Sequence, residues 1–230
     1  MFSTLDFDVL RRSIGYLFYE GMTFTLMLTG LSALGGLIFG TMIALMRLSG
    51  YRLLGRVAGL YVDFMRSLPL VLVIFWFYFL VPYIGQWLTG ASRPIRVGAF
   101  SSSLITFVMF EAAYFSEIMR AGIQSISKGQ PAAASALGLT YSQSMRYIVL
   151  PQAFRNMLPV LLTQTIVLFQ DTSLVYVLSI TDFLGAASKV AQRDGRLVEM
   201  YLFAALVYFT ISCVASFGVR RLQARISIVR

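Results

Sequence analysis

The chain has 230 residues, of which 58% are hydrophobic and only 13% are charged, and its mean hydropathy is +0.76. Soluble globular domains carry roughly 25% charged residues, so this composition indicates a membrane protein. The sequence contains no histidine and one cysteine, which excludes an intramolecular disulfide and the HExxH type of zinc site.

The sequence also lacks the GxxxxGK[ST] phosphate-binding loop and the GxSxG nucleophile motif. We therefore expect no catalytic residue, no metal site and no cofactor in this chain, and any energy source must lie in another protein. The net charge of +9 does not indicate nucleic acid, because basic residues of polytopic membrane proteins normally report their orientation in the bilayer.

Residues 1–20 have no basic start and no small-residue cleavage site, so they predict an amphipathic lead-in along the membrane surface and not a signal peptide. Because about 20 apolar residues cross a bilayer, the remaining sequence predicts an all-α protein with five spans, at 21–46, 58–82, 98–119, 156–180 and 199–219. These spans form one transmembrane domain over 21–219, followed by a basic tail over 220–230.

The basic residues divide unequally between the two sides of the membrane. With five spans, one side receives 12 basic residues opposed by Asp63 alone, and the other receives seven that six acidic residues nearly cancel. The positive-inside rule therefore predicts an outer N-terminus and a cytoplasmic C-terminus. The segment 121–155 is then cytoplasmic.

Arg66 opens the second predicted span, in the stretch VDFMRSLPLVL. It either pairs with Asp63, three residues earlier, or points inward as a fixed positive charge for an anionic solute, and the sequence leaves both interpretations open.

The third and fourth spans also carry acidic residues, Glu111 and Asp171. An ionised side chain in hydrocarbon costs at least about 2.5 kcal/mol, so such residues face a bundle interior or a watery cavity. Glu117 lies three residues before Arg120, which predicts an ion pair on one helix face. In the fourth span, helical spacing predicts that one face carries Thr163, Gln164, Val167, Gln170, Asp171 and Leu174. This face either lines a pathway or contacts another helix.

The cytoplasmic segment 121–155 carries several helix-boundary signals. Pro131 predicts the start of one short helix and Gly138 its end. Thr140 and Gln143 have the spacing of a capping box, and Pro151 predicts the end of a second short helix.

Three apolar residues of this second helix, Tyr141, Met145 and Ile148, share one face. Such a stripe either docks in a groove of a partner protein or packs beneath the chain's own helix ends. Periodicity alone favours the packing interpretation.

The spacing within this segment resembles the EAA motif, EAA-x3-G-x9-I-x-L-P, of the permease subunits of bacterial ABC importers. The matching positions are Ala133, Ala134, Gly138, Ile148, Leu150 and Pro151, while Ala132 replaces the glutamate of the motif. The stretches MRSLPLVLVIFWFYFLVP and FQDTSLVYVLSITDF are also similar to permeases for polar amino acids, above all those for glutamate and aspartate. Gln170 replaces the lysine that commonly precedes DTSL in that group.

This resemblance implies the fold of type-1 ABC importer permeases and a location in the bacterial inner membrane. It implies two ATP-binding subunits that hold ATP and Mg²⁺, a second permease subunit of different sequence, and an external solute-binding protein. It also implies that the cytoplasmic segment is a coupling helix seated on the ATPase, through Ala133, Ala134, Gly138, Tyr141, Met145, Ile148, Leu150 and Pro151. Candidate residues of the substrate pathway are Arg66, Glu111, Thr163, Gln164, Gln170 and Asp171.

Three other functions compete with ATP-driven import of acidic amino acids. A permease for another polar amino acid such as glutamine would share the same motif. An ion-coupled secondary transporter would use Glu111 and Asp171 as coupling carboxylates, but such folds are often built from internal repeats, which this sequence lacks. A membrane enzyme has no support, because the sequence contains no histidine and no nucleophile motif.

Overall fold

The computed structural model describes residues 8–95 and 97–226, so the start of the predicted lead-in, Arg96 and the end of the predicted tail lie outside the described residues. Most of the described chain is helical. The helices, numbered here α1 to α8, are Asp8–Leu48, Arg52–Arg66, Leu70–Thr89, Ala99–Gln124, Gly129–Ala136, Tyr141–Leu178, Phe183–Asp194 and Leu197–Ile226.

Five of these helices, α1, α3, α4, α6 and α8, are long and apolar enough to cross a membrane. The predicted all-α class and the number of spans are thereby confirmed. Three of the five contain a π-helical turn, at Leu17–Met22 in α1, Trp76–Leu80 in α3 and Met145–Val149 in α6. The last turns of α6, Thr172–Leu178, are a 3₁₀-helix.

The second span begins later than the predicted 58–82. The helix α2 ends at Arg66, and the backbone of Pro69 is extended, with φ −61° and ψ 129°, before α3 starts at Leu70. A proline disfavours the helical conformation at the residue before it, here Leu68, so the helix breaks at this point. As a result, α2 is a separate amphipathic helix that precedes the span.

The described part of the predicted lead-in, residues 8–20, is not a separate element on the membrane surface. It continues without a break into the first span as α1. Its buried residues Val9, Ser13 and Leu17 recur every fourth position, and Val9 and Leu17 pack in one apolar cluster with Phe183 of α7. The amphipathic pattern therefore reflects packing within the protein.

The prediction that Pro151 ends a short helix is wrong, because α6 runs unbroken from Tyr141 to Leu178. The π-helical turn directly before this proline explains the difference: the Leu150 N–H bonds to the carbonyl of Met145, five residues back. This wider turn relieves the clash that a proline ring makes with the preceding α-helical turn.

The described residues form two compact units, each with its own apolar core. The first comprises the described parts of Met1–Leu34, Pro69–Val108 and Ile166–Ala215, and the second comprises Gly35–Leu68, Met109–Thr165 and the described part of Ser216–Arg230. The core of the first unit centres on Leu17, Phe183 and Met200. The core of the second includes Phe115 and Leu161.

Candidate functional site

The segment 121–155, which the charge distribution predicts to be cytoplasmic, contains a tight turn between α5 and α6. The Leu139 N–H donates to the carbonyl of Ala134 at 3.0–3.1 Å, as the Gly138 N–H does to that of Ser135, which is the hydrogen-bond pattern of a Schellman motif. Gly138 has φ +79°, a left-handed conformation that favours glycine. No atom lies within 4 Å of a Cβ built there, so the backbone conformation is what requires the glycine.

The first turn of α6 is fixed by the predicted capping box. The side chain of Thr140 accepts from the Gln143 N–H at 3.3 Å, and the side chain of Gln143 accepts from the Thr140 N–H at 2.9 Å. Two N–H groups at the helix start are thereby satisfied. Both sides of the connection between α5 and α6 are therefore held by local hydrogen bonds.

The eight predicted coupling residues do not form one exposed face. Ala133, Gly138, Leu150 and Pro151 are exposed, Ala134 is buried, and Met145 and Ile148 are partly buried. Tyr141 is 82% exposed, and Leu137, which the sequence analysis did not select, is 81% exposed. The exposed apolar surface at this turn is therefore made by Leu137 and Tyr141.

One short polar contact and one close helix approach attach the segment to the rest of the second unit. The Asn156 side-chain amide of α6 donates to Ser125 Oγ at 2.8 Å. A Cβ at Gly122 would lie 2.8 Å from the Cβ of Met157, so α4 and α6 are in direct contact there. The position of the turn is thus tied to the cytoplasmic ends of two spans.

Glu117 is the centre of an ion-pair network at the cytoplasmic end of α4. Arg120 donates to it, as the i,i+3 spacing predicts, with Nε at 3.2 Å from Oε2. Arg47 of α1 also forms an ion pair with Glu117, which the sequence analysis did not predict. One carboxylate therefore joins α4 to the first span.

Arg66 does not form the ion pair with Asp63 that its sequence spacing allows. Among the ion pairs of the described residues, none includes Arg66 or Asp63. The guanidinium carbon of Arg66 lies 5.4 Å from the centre of the Tyr114 ring on α4, a distance typical of a cation–π contact.

Glu111 is only 1% exposed and lies where α4 meets α1. Its Cβ would be 2.8 Å from a Cβ built at Gly36. The side-chain amide of Gln164 on α6 donates to Oε1 of Glu111 at 3.2 Å. The structure thus brings together two of the predicted pathway residues, Glu111 and Gln164, in a partly buried hydrogen bond between helices.

The remaining pathway candidates lie along α6. Thr163 and Gln170 are exposed and Asp171 is partly buried. Gln170 donates from its side-chain amide to Ser212 Oγ of α8 at 2.9 Å. Of the six residues predicted to share this face, Thr163, Val167 and Gln170 are exposed, whereas Gln164, Asp171 and Leu174 are partly buried.

A second buried polar site lies between the last two spans, at the start of α7. Asp182 is fully buried and accepts from the N–H groups of Leu184 and Gly185, each at 3.0 Å. Burial raises its pKa to about 7, while these two hydrogen bonds oppose the shift. The Phe183 N–H donates to Thr25 Oγ1 of α1 at 3.0 Å, so polar contacts fix α7 to the first span.

Residues 36–228 match the family described as binding-protein-dependent transport system inner membrane component. This chain belongs to that family. It is therefore a multi-pass permease subunit of an ABC importer, a transport component and not an ATPase.

Two bacterial relatives of this permease illustrate the range of similarity. The glutamate/aspartate import permease protein GltK of Escherichia coli O6:H1 is 52% identical over 96% of this chain and 97% of its own length. The glutamine transport system permease protein GlnP of Escherichia coli K12 is 32% identical over 93% of this chain and 94% of its own length.

Solved structures agree with the permease fold. The crystal structure of an amino acid ABC transporter with histidines superposes with a TM-score of 0.87 at 31% identity, covering 96% of this chain and 99% of that chain. An inward-facing structure of the MetNI methionine ABC transporter gives a TM-score of 0.74 at 17% identity, covering 93% of this chain and 97% of that chain. At that identity the second likeness shows the fold alone.

Three features of this permease were missed by sequence reasoning. Leu137 lies beside a glycine turn and does not belong to a helical apolar pattern. Arg47 is remote in sequence from Glu117, so their pairing has no local signal. Asp182 has the sequence context of an ordinary acidic residue in an outer loop. Of these, only Asp182 carries a local signal, because an aspartate three residues before a glycine at a helix start fits an N-cap.

Proposed function

We propose that this permease imports acidic amino acids, glutamate and aspartate, across the inner membrane of a bacterium. The proposed cargo is inferred from one observation. The relative named glutamate/aspartate import permease protein GltK is 52% identical over nearly the full length of both chains. Relatives named for glutamine are 32–33% identical.

The proposal includes the partners that such an importer needs. Two ATP-binding subunits hydrolyse ATP with Mg²⁺, a sister permease of different sequence completes the membrane pathway, and an external solute-binding protein delivers the cargo. The absence of a phosphate-binding loop from this sequence supports a separate ATPase.

The turn between α5 and α6 is the proposed contact with the ATPase. Leu137 and Tyr141 present exposed apolar side chains on the side that the charge distribution assigns to the cytoplasm. The Schellman motif and the capping box fix the backbone that carries these side chains. An exposed apolar surface on a fixed turn transmits a rigid-body movement of the ATPase to the spans.

Within the second unit, the proposed cargo pathway follows Arg66 and the exposed Thr163 of α6. Within the first unit, Gln170 and Asp171 are proposed as further cargo contacts. Glu111 and Gln164 support the pathway in the second unit, because their partly buried hydrogen bond joins α4 to α6.

Uptake by cells or membrane vesicles tests the proposal. Glutamate uptake is expected to collapse when ATP is depleted while the proton gradient is maintained, and to persist when the gradient is dissipated but ATP is supplied. Uptake that follows the gradient would replace this proposal with ion-coupled transport, in which Glu111 and Asp171 carry protons or cations. Competition by unlabelled aspartate, but not by glutamine, distinguishes the proposed cargo from that of the glutamine permeases.

A further inference from the structure

The guanidinium of Arg66, a residue that precedes the second span, lies beside α4, about one helical turn before the Glu117 ion-pair network. Tyr114, which it contacts at 5.4 Å, is 15 residues beyond the start of α4, or about 22 Å along the helix at 1.5 Å per residue. The other end of α4, Gln124, is about 15 Å away. The charge therefore lies between the two ends of α4.

No acidic side chain neutralises this charge within 4 Å among residues 8–95 and 97–226. Asp63 has the i,i+3 spacing for a pair, yet the guanidinium turns to the Tyr114 ring. The Arg66 side chain is also exposed. An exposed cation beside a spanning helix, without an acidic side chain to pair with, indicates a functional site.

The helix that carries Arg66, α2, is packed against α4. Val62 and Met65 of α2 are buried, and the Tyr61 hydroxyl donates to the carbonyl of Met109 on α4 at 2.6 Å. The ring of Tyr114 in turn packs against that of Phe110, with 5.2 Å between ring centres. Functional groups held by such supporting contacts lose little freedom when they bind a ligand.

From this arrangement we infer that Arg66 binds a carboxylate of the cargo during translocation and that Tyr114 positions the guanidinium. This inference rests on the proposed function and names the recognition group within the proposed pathway. Guanidinium matches carboxylate with two parallel N–H···O bonds, which an ammonium does not. Every amino acid offers an α-carboxylate, and the acidic ones offer a second, so the site favours anionic cargo.

The complete importer, reconstituted in proteoliposomes with its ATPase, sister permease and binding protein, allows uptake and ATP hydrolysis to be measured together. Arg66→Gln is expected to lower the rate of glutamate uptake at least tenfold while ATP hydrolysis stimulated by the loaded binding protein stays within twofold. Arg66→Lys keeps the charge but loses the planar fork, so it is expected to restore part of the uptake. Tyr114→Leu is expected to lower uptake severalfold, and Tyr114→Phe, which keeps the ring, is expected to remain near wild type.

Arg56→Gln is the matched control, because Arg56 is an exposed arginine of the same helix. This substitution is expected to leave uptake unchanged. Unaltered uptake in Arg66→Gln would overturn the inference. A parallel loss of uptake and ATP hydrolysis would also overturn it, since a structural role of Arg66 lowers both. Uptake by the wild-type importer in the same vesicles tests the proposed function separately. If the wild-type importer transports another amino acid, the proposed cargo is wrong, and the Arg66 variants are then compared by their uptake of that amino acid.

Discussion

Arg47 of α1 forms an ion pair with Glu117 of α4, and these two side chains are only 14% and 23% exposed. Because Glu117 also accepts from Arg120, one carboxylate balances two guanidinium groups. Glu117 is therefore the member of the network whose loss leaves the most charge uncompensated.

Removing the shared carboxylate is expected to destabilise the permease more than removing either arginine. Glu117→Gln leaves two neighbouring cations and is expected to lower the free energy of unfolding by about 3 kcal/mol. Arg47→Gln leaves the Glu117–Arg120 pair and is expected to cost about 1 kcal/mol. Equilibrium unfolding in mixed micelles measures both, and equal effects would contradict the shared-carboxylate interpretation.

Gly138 is expected to be intolerant of a side chain for conformational reasons alone. Gly138→Ala forces an L-residue to φ +79° at a cost of about 1–2 kcal/mol, which displaces Leu137 and Tyr141. We expect uptake to fall severalfold while the protein still inserts in the membrane. Gly129→Ala is the control and should retain uptake, because this glycine of α5 has no positive φ and a Cβ built there meets only Ser127 Oγ, at an ordinary contact distance of 3.6 Å.

The exposed pair Leu137 and Tyr141 is expected to bind the ATPase. Leu137→Glu and Tyr141→Glu place a charge on an apolar contact and should each reduce co-purification of the ATPase at least tenfold, because a buried unpaired charge is costly. The conservative variants Leu137→Met and Tyr141→Phe should retain it. Normal co-purification with both charged variants would remove this surface from the proposed interface.

The sequence predicted those parts of the fold that depend on local interactions. The five spans, the capping box at Thr140 and the Glu117–Arg120 pair each follow from residues within a few turns of one another. The end of a helix at Pro151 was predicted wrongly, because the rule assumes α-helical geometry and the chain forms a π-helical turn there.

Contacts between distant helices were not predictable in the same way. The contact of Arg66 with Tyr114, and that of Arg47 with Glu117, depend on how each helix is rotated about its axis. Periodicity shows which residues share a face, but it does not show which helix that face meets. The same limit explains why Met145 and Ile148 were expected on one face with Tyr141 but are partly buried.

The stability of the permease is expected to depend on pH through Asp182. Its pKa in the folded protein, about 7, lies above the ordinary value near 3.8, so between these values the folded state binds more protons than the unfolded state. The free energy of unfolding should therefore fall as pH rises from about 4 to about 7, by at most about 1.4 kcal/mol per pH unit, and level off above that range.

Asp182→Asn isolates this effect, because asparagine keeps an N-cap acceptor but does not titrate. The slope between pH 4 and 7 should become shallower in this variant. Asp194→Asn is the control on the same helix: the hydrogen bond from Arg193 holds the pKa of this exposed carboxyl below its ordinary value, so its removal leaves the slope in place. Thermal unfolding in detergent across this pH range measures both, and an unchanged slope in Asp182→Asn would contradict the assignment.

Two glycines of the first span should respond oppositely to the same substitution. A Cβ at Gly36 would lie 2.8 Å from the Cβ of Glu111 and 3.4 Å from its carbonyl carbon, whereas a Cβ at Gly30 meets no atom within 4 Å. Gly36→Ala must therefore push α1 away from α4 and disturb the hydrogen bond between Glu111 and Gln164. We expect a loss of about 1–3 kcal/mol in the free energy of unfolding.

Gly30→Ala adds only helix propensity and should be neutral or stabilising by up to about 1 kcal/mol. Unfolding of the two variants in the same detergent decides the matter, since equal stability would mean that α1 and α4 do not approach closely at Gly36.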